Sequence, residues 1–220
     1  MASVSETQGK VAEFLLQIQA VKLQPNDPFT WASGRKSPIY CDNRKTLSHV
    51  AVREAICAAA VARVRERFPE AEAVVGVATG GIALGALVAG ACGLPFGYVR
   101  SEAKSHGLGN QIEGDLSMLR RVVVIEDLIS TGKSSLQAVQ ALRAGGVQVE
   151  GLVAIFSYGF PDAVAAFAAA ACPFEVLTQY DVLLETAVAG GYIAAADREM
   201  LSDWSQDPAA WSERVRTLQS

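Results

Sequence analysis

Apolar residues recur along the chain with helical and strand periods, and these periods predict alternating helices and strands. Between residues 11 and 18 the apolar positions follow helical spacing and predict an N-terminal amphipathic helix. Residues 26–43 are punctuated by proline and glycine, which predicts an irregular or hairpin-like segment. Ser48 is the expected N-cap of a further helix that runs to about Arg67.

From residue 73 onward, short apolar runs alternate with helical segments. The predicted strands cover residues 73–77, 95–99, 122–125, 147–156 and 174–177. The predicted helices cover residues 82–91, 134–144 and 161–171, and the tail from Thr186 onward is predicted to be helical. Strands that are apolar on both faces and separated by helices are typical of a parallel sheet covered on both sides. The sequence therefore predicts the α/β class, with a central, mostly parallel sheet flanked by helices.

Composition narrows the possible functions. The chain has 220 residues, of which 50% are hydrophobic, and this suits one substantial domain and argues against disorder. The net charge is −4, from 19 Lys and Arg against 23 Asp and Glu, which argues against a nucleic-acid partner. No apolar stretch reaches the ~18 residues of a membrane-spanning helix, and the N-terminus lacks a signal core, so we expect a cytoplasmic protein with no membrane partner. The scattered cysteines and two distant histidines suit neither a disulfide scaffold nor a zinc site.

The most informative segment is VVVIEDLISTGKSS, which covers residues 122–135. Its apolar strand leads to two adjacent acids, a Ser-Thr-Gly turn and a helix start. Ligands of open α/β sheets bind at the carboxyl ends of strands, and free N–H groups at a helix N-terminus suit a phosphate. The triplet Gly132-Lys133-Ser134 matches the end of a nucleoside-triphosphate loop, but Asp127 stands where that motif requires glycine. The remaining alternative is an ordinary capped helix after an acidic strand end.

The stretch EDLISTGKS resembles the signature with which type I phosphoribosyltransferases bind 5-phosphoribosyl-1-pyrophosphate (PRPP). The resemblance implies the fold of that family, with the acids on the ribose hydroxyls and the turn amides on the 5′-phosphate. The residues that it assigns to PRPP are Glu126, Asp127, Leu128, Ile129, Ser130, Thr131, Gly132, Lys133 and Ser134.

Residues 100–114, RSEAKSHGLGNQIEG, are polar and rich in glycine, which predicts a loop that can close over a site. Its positive groups suit a leaving pyrophosphate, although a solvated surface loop is the alternative. The segment resembles the catalytic loop of the orotate phosphoribosyltransferase family, with Arg100, Lys104 and His106 on positions that contact PRPP. In that family the loop enters the active site of the neighbouring subunit, so the resemblance implies a homodimer that shares this loop.

Residues 29–40, FTWASGRKSPIY, resemble the N-terminal motif that closes over the orotate ring in the same family. The resemblance implies a small hood formed by residues 1–46. The residues assigned to orotate are Tyr40, Cys41, Arg44 and Ser130. Of these, Arg44 is the candidate partner of the orotate carboxylate, because arginine pairs well with carboxylates, but a surface role fits it equally.

Residues 76–81, GVATGG, match the pyrophosphate loop of the family, which assigns Thr79 and Gly80 to PRPP. A strained or cis peptide bond is expected before Thr79, and a pair of helix-packing glycines is the alternative. Cations that many members carry are missing here at Gly80, Ala32 and Ser101, so fewer contacts to PRPP are expected. The cations that could replace the one missing at Ala32 are Arg35, Lys36 and Arg44.

Together these motifs resemble an enzyme of de novo pyrimidine (UMP) biosynthesis, a pentosyltransferase among the glycosyltransferases. It would convert orotate and PRPP to orotidine 5′-monophosphate and pyrophosphate, with Lys104, His106 and Asp127 as catalytic residues. The expected cofactor is Mg²⁺, carried by PRPP without a dedicated protein site, because Mg²⁺ prefers phosphate oxygens and water. The alternatives are a purine-type phosphoribosyltransferase and a PRPP-binding regulatory protein of the same fold.

Two further expectations concern structure rather than chemistry. We expect one domain over residues 1–220, with a helical tail over residues 186–220 that docks on the body through Trp204 and Trp211. His49 is assigned a structural role at a helix start.

Overall fold

The computed structural model describes residues 3–31, 33–100 and 111–219, and its centre is a six-stranded sheet. Its strands lie in the order 174–179, 148–157, 121–129, 73–77, 96–99 and 112–113, and every neighbouring pair is parallel except the last. These strands are β5 (Ala73–Val77), β6 (Phe96–Val99), β7 (Ile112–Glu113), β8 (Arg121–Ile129), β9 (Gln148–Ser157) and β10 (Phe174–Gln179). The predicted α/β class with a mostly parallel sheet is confirmed.

Helices cover the sheet and extend beyond it. They are α1 (Val4–Gln17), α2 (Val50–Arg67), α3 (Gly80–Cys92), α4 (Lys133–Ala144), α5 (Pro161–Ala169), α6 (Tyr180–Ala189), α7 (Asp197–Gln206) and α8 (Pro208–Gln219). Helix α3 packs on β5 and β8, α2 packs on β9 and α3, and α1 packs on β10 and α6. Within the described ranges, none of these helices combines the length and the apolarity needed to cross a bilayer.

Four short strands precede the central sheet. Strand β1 (Val21–Leu23) pairs antiparallel with β4 (Ile39–Cys41). Between them, β2 (Phe29–Thr30) and β3 (Lys36–Ser37) form an antiparallel hairpin, as the proline and glycine pattern predicts. Asn43–Ser48 then forms a 3-10 helix that leads to α2.

Several boundaries differ from the sequence predictions, among them the end of β8, which extends beyond residue 125 to Ile129, and the starts of α2 and of the helical tail. Ser48 is not the N-cap of α2, because Asp42 accepts a hydrogen bond from the backbone N–H of Arg44 and starts the 3-10 helix that ends at Ser48. His49 occupies the N-cap position, where its side chain makes no capping bond. The helical tail begins at Tyr180, before the predicted Thr186, because the spacing of Leu183, Leu184 and Ala187 already places an apolar face on the body.

The C-terminal helices dock on the body, as expected, and they also contact the hairpin. Trp204 is fully buried and Trp211 is 5% exposed. The rings around Trp204 lie with centroids 5.2–5.9 Å away and belong to Trp31, Tyr158, Phe160 and Tyr180. Helix α8 contacts the hairpin directly, because the backbone N–H of Lys36 donates to Ser212 Oγ at 2.9 Å and the Arg216 guanidinium donates to the Gly34 carbonyl.

Candidate active site

A cavity of about 280 Å³ lies where β5 and β8 end side by side. Because both strands are parallel, the segments that follow them meet at the same edge of the sheet. The cavity is lined by Ala78, Thr79, Gly80, Glu126, Asp127, Leu128, Ser130, Thr131, Gly132, Lys133 and Ser134. The cavity thus brings together the residues that the sequence assigned to PRPP at positions 79–80 and 126–134, with one exception. Ile129 does not line it, because its side chain is fully buried in the core.

The turn between β8 and α4 gives this cavity unpaired backbone donors. Gly132 has φ +74°, and a side chain there would place its Cβ 2.8 Å from the Phe167 ring, so only glycine fits. Helix α4 starts immediately afterwards, and its N-cap carries no side chain that would occupy the first N–H groups. Free N–H groups and the positive end of the helix dipole make such a turn suitable for a phosphate.

The two adjacent acids differ in their surroundings. Glu126 is 4% exposed, and its two carboxyl oxygens lie 3.0 Å from the Asp127 backbone nitrogen and 3.0 Å from Ser135 Oγ. Burial, together with the charge of Asp127, raises the pKa of Glu126 to about 9. Asp127 is only half-buried and lines the cavity. Glu126 is therefore harder to ionise than an ordinary glutamate, and Asp127 is the more accessible of the two acids that line the cavity.

The glycine pair after β5 leaves room for this arrangement. The peptide bond between Ala78 and Thr79 is cis, as expected from the sequence. A Cβ on Gly80 would overlap with the Asp127 carboxylate, and a Cβ on Gly81 would overlap with the Ile125 carbonyl oxygen. Gly80 therefore lets Asp127 occupy its position, whereas Gly81 lets α3 approach the backbone of β8.

Asn43 is a site residue that sequence reasoning missed. Its side chain is 2% exposed and donates to the Asp127 carbonyl oxygen at 2.6 Å, and it accepts a bond from the Cys41 thiol at 3.4 Å. Burial and the nearby Asp127 carboxylate raise the pKa of the Cys41 thiol above its usual value. The sequence offered only a weak signal, a polar Asp42-Asn43 pair directly after an apolar run.

A second cavity of about 550 Å³ adjoins the first, and Ser130 and Thr131 line both. On its other side lie the hairpin residues Trp31, Ser33 and Arg35, and its remaining lining comes from residues 160–162 and 205–209. This cavity has the aromatic and polar lining of a small-molecule site.

The residues assigned to orotate are only partly brought together. Ser130 lines the larger cavity, but Tyr40, Cys41 and Arg44 do not. Tyr40 is 43% exposed and packs against Phe29 with ring centroids 5.7 Å apart. Arg44 Nε instead pairs with Asp42 Oδ1 at 2.7 Å.

Arg100 stands at the start of the predicted catalytic loop. Its Nη1 lies 3.5 Å from Glu113 Oε1, and its backbone N–H donates to the Gln111 carbonyl at 2.8 Å. Lys104, His106 and Ser101, like Ala32, lie outside the described residues. Among the residues that are described, no three His, Cys, Asp or Glu side chains gather closely enough to hold a metal ion.

Comparison with known proteins adds independent information. Residues 45–163 match the family model of the phosphoribosyl transferase domain. The orotate phosphoribosyltransferase of Bacteroides thetaiotaomicron is 54% identical over 200 residues, which are 91% of this chain and 94% of the relative. That of Bacillus subtilis is 52% identical over 198 residues, 90% of this chain and 92% of the relative.

A solved structure shares the fold of this chain. The crystal structure of orotate phosphoribosyltransferase from Aeropyrum pernix matches with a TM-score of 0.72 at 30% identity. The match covers 82% of this chain and 99% of the other. The similarity therefore extends over most of the fold, beyond the segments that carry the motifs.

Proposed function

The chain belongs to the orotate phosphoribosyltransferase family, and we propose that its two adjoining cavities bind PRPP and orotate for pentosyl transfer. The reaction joins orotate to C1 of the ribose and releases pyrophosphate. The observation that carries the assignment is the shared lining of the cavities by Ser130 and Thr131. It supports a sugar-phosphate site and a base site that lie side by side. Because the chain belongs to this family, the orotate enzyme is favoured over the purine-type phosphoribosyltransferase and the regulatory protein.

The smaller cavity is the proposed PRPP site. The N–H groups around Gly132 bind the 5′-phosphate, and the Thr131 and Ser134 hydroxyls donate to the same oxygens. The Asp127 carboxylate accepts hydrogen bonds from the ribose hydroxyls. Glu126 fixes the backbone at this position, because its Oε1 accepts a hydrogen bond from the Asp127 N–H. The backbone at Thr79 and Gly80 lies on the side where the pyrophosphate leaves.

The larger cavity is the proposed orotate site, covered by the hood that residues up to 46 form. Ser130 is the proposed donor to orotate from the floor of the cavity. Arg35 is placed to reach the orotate carboxylate, because it lines this cavity. Arg44 is the competing partner that the sequence suggests, although Asp42 holds its guanidinium.

The two arginines can be separated by kinetics. Arg35→Ala is expected to raise the KM for orotate about tenfold or more, since charge-assisted bonds to a carboxylate contribute about 1.5–3 kcal/mol. Arg44→Ala is expected to change the KM for orotate much less. Arg120 is exposed and lies outside both cavities, so Arg120→Ala is the control. The reverse ranking of Arg35 and Arg44 would assign the carboxylate to Arg44.

The leaving pyrophosphate needs positive charge and exclusion of water. Arg100, Lys104 and His106 are the proposed donors, with Lys104 and His106 as the electrostatic or proton-donating groups. Bound Mg²⁺ would neutralise charge on the phosphate oxygens. The ion is proposed to arrive with PRPP, because Mg²⁺ prefers phosphate oxygens and water to a cage of protein side chains.

The decisive assay follows the loss of orotate absorbance with purified protein, PRPP and Mg²⁺. We expect a loss that requires PRPP and that falls about 100-fold in Lys104→Ala, in line with the removal of one group that stabilises developing charge. Lys22→Ala, an exposed lysine on β1, is the matched control. No orotate loss at high enzyme would refute the activity, whereas full activity of Lys104→Ala would refute only the role of the loop.

The proposed dimer shares its catalytic loops between subunits. Mixing Lys104→Ala with Asp127→Asn protein then recreates one intact site in each mixed dimer. With random reassociation, activity is expected to recover to about a quarter of the wild-type value. Absence of recovery, with mixed dimers demonstrated by two affinity tags, would place the loop in its own subunit.

We also propose a cytoplasmic location, since the four cysteines are free thiols.

A further inference from the structure

The joint between the 3-10 helix at Asn43–Ser48 and helix α2 lacks a side-chain cap. His49 stands at the N-cap position of α2 and makes no capping hydrogen bond there. The start of the 3-10 helix is better held, because Asp42 accepts a hydrogen bond from the backbone N–H of Arg44. The last carbonyl groups of a helix lack partners within the helix, so the end of this one depends on contacts from outside.

Arg53 supplies such a contact at the end of the 3-10 helix. It lies half-buried in the first turn of α2, and its Nη1 donates to the Leu47 carbonyl at 2.9 Å. Within the part of the chain that the structure describes, this bond is the only polar contact of the Arg53 guanidinium. The arginines at positions 63 and 67 of the same helix instead pair with Glu175 of β10. Arg53 is therefore directed at the backbone of the 3-10 helix and not at an acid.

The opposite end of the 3-10 helix reaches strand β8. Asn43 is the first residue of this helix, and its buried side chain donates from Nδ2 to the Asp127 carbonyl oxygen at 2.6 Å. Strand β5 pairs with β8 only as far as Ile125, so β8 has no neighbouring strand on that side at Asp127. The Asn43 amide therefore takes the place of a strand partner at the residue that carries the carboxylate.

Thr46 connects the two ends of the 3-10 helix. Its side chain is 3% exposed, and its hydroxyl donates to the Asn43 carbonyl at 2.6 Å. Its own carbonyl accepts a hydrogen bond from the His49 N–H at 3.2 Å. Because these bonds join successive turns, the short helix moves as one unit. A shift at Leu47, where Arg53 binds, therefore displaces Asn43 as well.

A narrow cavity of about 10 Å³ brings the three groups of this chain of contacts together. Arg53, Asn43 and Asp127 all line it. Gly80 and Asp127 line both this cavity and the proposed PRPP cavity. Arg53 itself lines neither of the two substrate cavities. Any effect of Arg53 on a bound substrate therefore has to pass through the residues between them.

We propose that Arg53 is a positioning residue of the PRPP site, which fixes the end of the 3-10 helix and thereby keeps the Asn43 amide on the Asp127 carbonyl. Without the bond to Leu47 the short helix shifts, and the Asp127 carboxylate is no longer held where it meets the ribose hydroxyls. The inference rests on the proposed PRPP site and adds to it a residue that touches no substrate.

The test measures PRPP binding to the full chain by titration calorimetry with Mg²⁺ and without orotate. Arg53→Met keeps the apolar stem and removes the guanidinium, so PRPP is expected to bind about fivefold more weakly, a loss typical of one hydrogen bond. Arg53→Lys keeps one donor and is expected to bind within about twofold of the wild type. The KM for orotate should stay within about twofold in both variants, because no residue of the 3-10 helix lines the larger cavity.

Arg65→Met is the matched control on the same helix. Arg65 also donates one bond to a backbone carbonyl, that of Ala91 at 3.2 Å, but it lines neither the narrow cavity nor the proposed PRPP cavity. This variant is expected to bind PRPP as the wild type does. Both methionine variants should keep the far-ultraviolet circular dichroism of the wild type, since the buried apolar face of α2 consists of other residues.

A double variant decides whether Arg53 acts through Asn43. Arg53→Met combined with Asn43→Ala is expected to bind PRPP within about twofold of Asn43→Ala alone, whereas independent roles would give a further loss of about fivefold. That further loss would overturn the inference, and so would wild-type binding of PRPP by Arg53→Met or an equal rise of the KM for orotate. A wild-type protein that binds no PRPP would refute the proposed PRPP site, and this inference with it.

Discussion

Gly80→Ala tests the arrangement of the proposed PRPP cavity with the smallest possible change. The added Cβ would overlap with the Asp127 carboxylate, which is the end of a side chain that can rotate. Gly81→Ala adds the same methyl group one residue later, where it overlaps with the backbone carbonyl of Ile125. Gly9→Ala in α1 meets no atom within 4 Å and serves as the control.

The three changes separate binding from stability. In Gly80→Ala, Asp127 must turn away, and the loss of its charge-assisted bonds to ribose costs about 1.5–3 kcal/mol, which raises the KM for PRPP about 10- to 150-fold. Stability changes little, because a rotating side chain relieves the overlap. In Gly81→Ala the backbone itself must shift, at about 1–3 kcal/mol of folding free energy. Gly9→Ala is expected to stabilise the protein by about 0.5–1 kcal/mol, since glycine is unfavourable within a helix.

Two measurements on the same preparations decide the outcome. Initial rates at varied PRPP and fixed orotate give the KM for PRPP, and urea unfolding gives the free energy of unfolding. A wild-type KM for PRPP in Gly80→Ala would refute the role of Asp127 at this position. A Gly80→Ala protein as destabilised as Gly81→Ala would show that the overlap is relieved through the backbone and not through Asp127.

Three further predictions concern the polar network around the acid pair and the hood. The pKa of Glu126 in the folded protein is about 9, against a usual value of 4.5. The stability that this group contributes to the folded state is therefore complete below pH 4.5 and is lost as the pH rises towards 9. Urea unfolding at pH 6, 7 and 8 should therefore show wild-type stability falling by up to about 1 kcal/mol per pH unit relative to Glu126→Gln, and parallel profiles would contradict the burial argument. Asn43→Ala leaves the Asp127 carbonyl without its donor, so a loss of about 1–3 kcal/mol in urea unfolding is expected, together with a higher KM for PRPP. Ser212→Ala removes the acceptor of the Lys36 N–H and loosens the hairpin, so the KM for orotate should rise more than the KM for PRPP, and equal changes would argue against this role.

The parts of the site that the sequence predicts best are continuous in the chain. The strand, turn and helix around residues 122–135 form one local unit, and nearly all of their predicted PRPP residues line a single cavity. The segment at residues 76–81 joins them because β5 pairs with β8, and adjacent parallel strands end at the same edge. The short apolar runs alone were sufficient to predict that both strands exist, although β8 extends beyond the predicted residue 125 to Ile129.

Contacts between distant segments were not predictable in this way. Asn43 and Asp127 are 84 residues apart, and no periodic pattern marks either one as a partner of the other. The same holds for the contact between Ser212 and Lys36, which are 176 residues apart. Such pairs depend on how the hood and the tail fold over the sheet, and that arrangement is a property of the whole chain. For the same reason the sequence assigned only Arg44 to the orotate carboxylate, whereas Arg35 is the arginine that lines the larger cavity.

The acid pair shows how one boundary changes a chemical conclusion. A strand that stopped at Ile125 would leave Glu126 and Asp127 as equivalent residues of a loop. Strand β8 instead continues to Ile129, where it still pairs with Ser157. Side chains of successive strand residues point to opposite faces, so Glu126 meets Ser135 of α4 while Asp127 turns towards Gly80 of α3. Burial then raises the pKa of Glu126, so the proposed PRPP cavity carries less negative charge than the sequence implies.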